Sequence, residues 1–241
     1  MKRFRLVVIF PVALALPLLS VCVAANAQVI NGYQPKVSLL GDSIALFEAG
    51  LQSQIFPTLN PANVYIFGHD SYSCAQVRLV VQFDAFGTAL APRNPDVVVL
   101  VNDTTNDVAR GTTPAELLTC LQGTVSDLLN RKSNLKMVVL TTPPWTQYNP
   151  CTGANNDPSI PGLIASYNIV MPELQTQWPH NVRVLDANTP FLDALGDGWA
   201  NPALMTGPCG IHPGPQSQWS GGQPTLAAVY RDTVLTSNQP W

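Results

Sequence analysis

Four short stretches hold the residues that could do chemistry. In "VSLLGDSIAL" (37–46) an apolar run stops at Gly41, Asp42 and Ser43, and apolar residues then resume. A buried strand ending in this way, followed by a helix, leaves Ser43 at the helix N-terminus, where unpaired N–H groups and the positive end of the dipole collect. A Ser there attacks a carbonyl carbon if a base removes its proton; alone, it reads equally well as an ordinary helix cap. The candidate base is His212 in "PCGIHPG", an imidazole in a tight Gly/Pro turn with a pKa near neutrality. In "NDTTND" (102–107) the amide of Asn106 can hold a developing oxyanion, although Asn and Asp also build plain hydrogen-bonded turns. In "FGHDSYSC" (67–74) Gly68 lets the backbone turn, and the N–H groups of 70–72 could line the same hollow. His69 there reads as a packing or solvated residue, and His180 in "WPHN" as a surface one.

These stretches need elements that bring them to one place. Apolar runs at 36–40, 64–67, 97–101, 137–141 and 182–185 predict five strands. Near-continuous runs such as "DVVVLV" suit strands covered on both faces. Segments between them are long enough for helices. The clearest is "TTPAELLTCLQGTVSDLLN": Thr113 caps, Pro114 takes the first helical position, and Glu116 completes a capping box ahead of a Leu/Val stripe. Residues 160–178 and 224–235 also read as helices. Alternating strands and helices imply a parallel sheet between helix layers, in which ligands sit at the carboxyl ends of the strands. The span 190–222, rich in Gly, Pro and Trp, is long for a loop in a compact domain, which points to function.

Composition narrows the class. Residues 1–27 start with Lys2, Arg3 and Arg5, continue apolar, and end in Ala25-Asn26-Ala27, the pattern of a secretory signal cut before Gln28. Pro11 and Pro17 interrupt the apolar stretch, which is short for a membrane anchor. The expected mature chain, 28–241, is enough for one well-buried domain, with no membrane span and a secreted or periplasmic location. Three of the 12 basic residues lie in the leader, so the mature chain carries 9 against 15 acidic, with no nucleic-acid footprint. Four cysteines remain after Cys22, and an even count in an exported chain implies two disulfides. Three pairings are open; Cys74–Cys120 with Cys151–Cys209 is the one expected. No CxxC pair is present, so a metal site has little support.

Taken together, "GDSIA", "FGHDSYS", "TTND" and "CGIHPG" resemble the SGNH/GDSL hydrolases, in that family's order and across nearly the whole mature chain. The resemblance implies a flavodoxin-like three-layer α/β/α sandwich with a five-stranded parallel sheet. It implies Ser43 as nucleophile, His212 as general base, and an oxyanion hole formed by the backbone N–H groups of Ser43 and Ser71 with the Asn106 amide. No cofactor is called for. Two positions depart from the family pattern. Ser71, or alternatively Gly68, stands for a Gly that donates to the oxyanion. Cys209 stands where an Asp three residues before the His orients the imidazole, and a disulfide-bonded Cys cannot do that. Either a backbone carbonyl accepts the Nδ1–H, or Asp197, Asp193 or Asp186 swings in, with Asp197 favoured from "GDGW". The implied activity is hydrolysis of a carboxylic ester, short-chain acyl or acetylated carbohydrate, with Trp145, Tyr148 and Trp199 near the site. The alternative is a ligand-binding protein that kept the scaffold and lost catalysis. A nucleotide binder is disfavoured, because the first loop lacks the Gly or Ser/Thr run a phosphate needs.

Overall fold

The computed structural model describes residues 32–83, 93–101 and 104–241. The expected signal segment and the Asn102-Asp103 pair lie outside these residues. The elements in chain order are β1 (Val37–Gly41), α1 (Ser43–Phe47), α2 (Gln52–Ile55), β2 (Val64–Gly68), α3 (Cys74–Phe83), β3 (Val97–Val101), α4 (Thr105–Arg110), α5 (Pro114–Arg131), β4 (Lys136–Leu140), β5 (Tyr148–Asn149), β6 (Ala154–Asn155), α6 (Ile160–Val170), α7 (Pro172–Gln177), β7 (Val182–Leu185) and α8 (Gln223–Leu235).

The five longer strands form one parallel sheet in the order β2-β1-β3-β4-β7. Side chains alternate across it, so each strand feeds two cores. Leu39, Val99 and Val138 face α1, α2 and α8, whereas Leu40, Val98 and Val139 face α3, α5 and α6. The result is the expected three-layer sandwich with five parallel strands. Burial on both faces is why β3 reads as a continuous apolar run rather than an alternating one.

Register sets the site. Gly41 pairs with both Gly68 and Val101, so β1, β2 and β3 end level with one another. Their following loops therefore share one rim. A Cβ on Gly68 would lie 2.0 Å from the Leu46 amide nitrogen, so only glycine lets α1 rest directly on the end of β2.

The capping box forms as expected: Thr113 N–H donates to Glu116 Oε2 at 2.9 Å, and the Thr113 hydroxyl accepts from Glu116 N. Two features differ from the sequence reading. The predicted helix over 160–178 is two helices, because Pro172 has no N–H to continue the first and starts the second. The hairpin of β5 and β6 was not foreseen, since two-residue strands are too short to show a period. Both disulfides pair as expected: Cys74–Cys120 joins α3 to α5, and Cys151–Cys209 joins the β5–β6 turn to the loop before His212.

Candidate active site

Ser43 is the first residue of α1, a position whose N–H has no intrahelical acceptor. Asp42 caps this helix, its Oδ1 accepting from Ile44 N at 2.8 Å. The cap and the Gly68 contact fix Ser43 at the sheet's rim, where the residue is 3% exposed. From 169 residues further along the chain, His212 brings its Nε2 to 2.9 Å from Ser43 Oγ.

The rest of the imidazole is held on two sides. Its Nδ1 lies 2.9 Å from the carbonyl oxygen of Pro208. A carbonyl can only accept, so Nδ1 carries the proton, and the neutral ring presents the Nε2 lone pair to the Ser43 hydroxyl. Phe47, one helical turn beyond Ser43, stacks on the ring with centroids 4.3 Å apart. Burial pushes the His212 pKa below its ordinary value, against the raising effects of the Pro208 hydrogen bond and the Asp70 charge. The ring is thereby kept neutral and able to accept a proton near neutral pH.

Asn106 sits in the first turn of α4 and bridges the other two loops. Its Nδ2 donates to Tyr72 O at 2.9 Å and, over a longer 3.3 Å, to Asp42 Oδ2. The longer bond is the one an incoming anion displaces at less cost. Ser71 lies in the turn after β2 with φ 63, a left-handed conformation that suits glycine and that Ser adopts at some strain. Arg110 Nη2 donates to its carbonyl at 3.0 Å, which pins this turn to α4. Gly68, the other candidate for the third donor, is the terminal residue of β2 packed on the α1 backbone.

Asp197 is not brought to the imidazole. Its Oδ1 accepts from Trp199 N at 3.2 Å, closing a local turn. Asp193 likewise accepts from Leu195 N, and Asp186 from Asn188 N and Thr189 N. Each Asp caps the backbone two or three residues ahead, a local bond that Asp makes readily in loops and that competes with reaching a distant ring. Among the described residues, the group at Nδ1 is the backbone carbonyl.

A cavity of about 500 Å³ opens beside the His212 loop, lined by Gln147, Tyr148, Asp193, Trp199, Met205 and Gly207 among others. Tyr148 is exposed and Trp199 is buried against the core, so the two aromatics give the cavity one solvent-facing and one core-anchored wall. Trp145 is instead a core residue. No cluster of three His, Cys, Asp or Glu side chains suited to a metal ion occurs among the described residues.

The sequence from 39 to 219 matches the model of the GDSL-like lipase/acylhydrolase family. The chain belongs to that family. Its matched span includes both Ser43 and His212. Solved structures agree on the fold. A GDSL-like lipase from Bacteroides thetaiotaomicron superposes with a TM-score of 0.62 at 17% identity, covering 83% of this chain and 87% of its own. A carbohydrate esterase family 3 protein from Talaromyces cellulolyticus gives 0.56 at 17% identity, covering 83% and 96%. No curated protein matches the sequence.

Two residues at this GDSL-type site escaped the sequence reading. Phe47 was legible in principle, since position i+4 from Ser43 on a helix shares its face. Pro208 was not, because any of the nearby carbonyls could have faced the ring.

Proposed function

We propose that this chain is a secreted serine esterase whose leader, 1–27, is removed to leave a single catalytic domain over 28–241. The observation that carries the reading is the 2.9 Å contact between Ser43 Oγ and His212 Nε2 in a tautomer set for proton acceptance. Ser43 Oγ attacks the ester carbonyl carbon while His212 Nε2 takes its proton. The oxyanion is met by the N–H groups of Ser43 and Ser71 and by Asn106 Nδ2. Collapse expels the alcohol, protonated by His212, and leaves an acyl group on Ser43. Water, deprotonated by the same imidazole, then releases the acid and restores the hydroxyl.

The cavity beside Gly207 and Tyr148 has the mixed aromatic and polar lining that suits a sugar or a short acyl chain. The substrate class we favour is therefore a short-chain or acetylated carbohydrate ester. Two disulfides among the described residues support a location outside the reducing cytoplasm, and no helix there is long and apolar enough to cross a membrane.

The second reading, a ligand-binding protein with impaired catalysis, is favoured by the neutral carbonyl at Nδ1 where the family has a carboxylate. Hydrolysis of p-nitrophenyl acetate by the wild type and by Ser43→Ala separates the two. The esterase reading expects a fluorophosphonate adduct on the Ser43 peptide and loss of turnover in the variant. Equal rates for both proteins reject it.

A further inference from the structure

Resting on the esterase reading, we infer that the Cys151–Cys209 disulfide is a positioning device for catalysis: it aims the Pro208 carbonyl at His212 and makes the centre dependent on oxidation of Cys209. The orientation of that carbonyl is set by the peptide plane between Pro208 and Cys209. Two torsions rotate this plane, ψ of Pro208 and φ of Cys209. The pyrrolidine ring fixes the proline's own φ, which leaves the plane hinged on these two. Cys209 holds φ at 59, in the left-handed region that L-residues other than Gly, Asn and Asp rarely occupy. Its side chain is tied to Cys151 across a sequence separation of 58.

The surroundings hold the loop firmly at other points, and this plane by one long bond, Ile211 N–H to Pro208 O at 3.4 Å. Gly207 N–H donates to His212 O at 3.1 Å, and Thr146 N–H donates to Gly210 O at 2.9 Å. Gly210 is also left-handed, and a Cβ there would fall on Thr146 Oγ1, so this residue is pressed against the segment leading to Cys151. Those bonds fix the two ends of the loop. That 3.4 Å bond is longer than an ordinary N–H···O contact, so the covalent link is what chiefly keeps Cys209 in its disfavoured conformation. Without it, Cys209 relaxes toward negative φ, the peptide plane turns, and the Nδ1–H loses its acceptor. The imidazole is then free to place its proton on Nε2, the tautomer that cannot accept from Ser43.

The two disulfides differ in exposure. Cys151 is exposed and Cys209 half-buried, whereas Cys74 is fully buried. A dithiol such as dithiothreitol therefore reaches the Cys151–Cys209 bond first. It gives two electrons and two protons to open that bond to two thiols, and closes to its own cyclic disulfide.

The test compares Cys151→Ala/Cys209→Ala with Cys74→Ala/Cys120→Ala on the full mature chain. The first pair is expected to lose kcat at least about tenfold with KM little changed, within the ~10⁴ range seen when a wrong tautomer is populated. The second is expected to lose thermal stability and keep kcat. Nitrogen-15 NMR of His212 reads the tautomer directly: Nδ1–H in the wild type, a mixture in the first variant. Should the first variant fail to fold, mild dithiothreitol treatment of the wild type, with alkylation and mass analysis, gives the same reading. Activity should then fall with reduction of Cys151–Cys209 while Cys74–Cys120 is intact, and return on reoxidation. An unchanged tautomer and kcat after loss of the Cys151–Cys209 link overturns the inference. Equal kcat loss in both pairs also overturns it, since the bond is then only a general clamp. A wild type without Ser43-dependent hydrolysis instead sinks the esterase reading and leaves the NMR test standing.

Discussion

His212 Nδ1 meets the carbonyl oxygen of Pro208 at 2.9 Å, so a neutral peptide group occupies the place that a carboxylate holds in a Ser–His–Asp arrangement. A neutral acceptor fixes the tautomer as well as a carboxylate does. It gives the imidazolium formed in the transition state less electrostatic help, so the first expectation concerns the acid that is absent.

Asp197→Asn should leave kcat within about twofold of the wild type, because among the described residues its carboxylate serves the Trp199 backbone turn. An acid that set the tautomer would instead cost up to ~10⁴ in turnover. A loss of that size, measured on p-nitrophenyl acetate, would show that Asp197 reaches the ring during turnover.

Asn106→Ala should lower kcat by about 10²–10³ with a smaller effect on KM, the signature of losing one oxyanion donor. The same change also unties Asp42 from the Tyr72 turn, so circular dichroism and thermal unfolding must accompany the kinetics. A variant with near wild-type kcat removes Asn106 from the oxyanion hole.

The pH profile follows from the lowered His212 pKa. Catalysis needs the neutral ring, so the acid limb of kcat/KM should have its midpoint below 6.5, the ordinary histidine value. Asp70 raises this pKa through its charge, so Asp70→Asn should move the limb further toward acid. A limb that stays put, or shifts toward neutrality, contradicts the assignment of His212 as the titrating base.

Glu48 offers a test of stability rather than rate. It is fully buried, accepts from Tyr230 OH at 2.7 Å, and burial pushes its pKa up to about 8. The folded chain thus keeps a proton that the unfolded chain releases near 4.5. Stability from this group is complete below 4.5, declines as pH rises toward about 8, and is flat beyond, with a slope of at most ~1.4 kcal/mol per pH unit. Glu48→Gln should flatten the denaturation midpoint across that window. An unchanged slope means that Glu48 is ionised when folded.

Much of this was legible in the sequence because burial on both faces leaves strong marks. The runs at 97–101 and 137–141 could be little other than central parallel strands, and the capping residues Thr113 and Glu116 announced α5 one residue at a time. The positions of Ser43, His212 and Asn106 followed from the ends of those elements. What stayed hidden was decided by tertiary contact. The Asp side chains of 186–197 carry no sign of whether they will cap their own loops or reach an imidazole. The choice between a carbonyl and a carboxylate at Nδ1 rests on the backbone torsion of Cys209, which no pattern of side chains encodes. The split at Pro172 was visible in outline, but the apolar residues on either side masked it.

The alcohol and the imidazole stand 169 residues apart in the chain. A polypeptide leaving the ribosome therefore exposes its serine long before the histidine arrives. No half-made copy can hold the two groups in contact. The pair forms only when the final stretch docks onto the finished sheet, so reactivity at Ser43 would report a chain that has folded to its last helix.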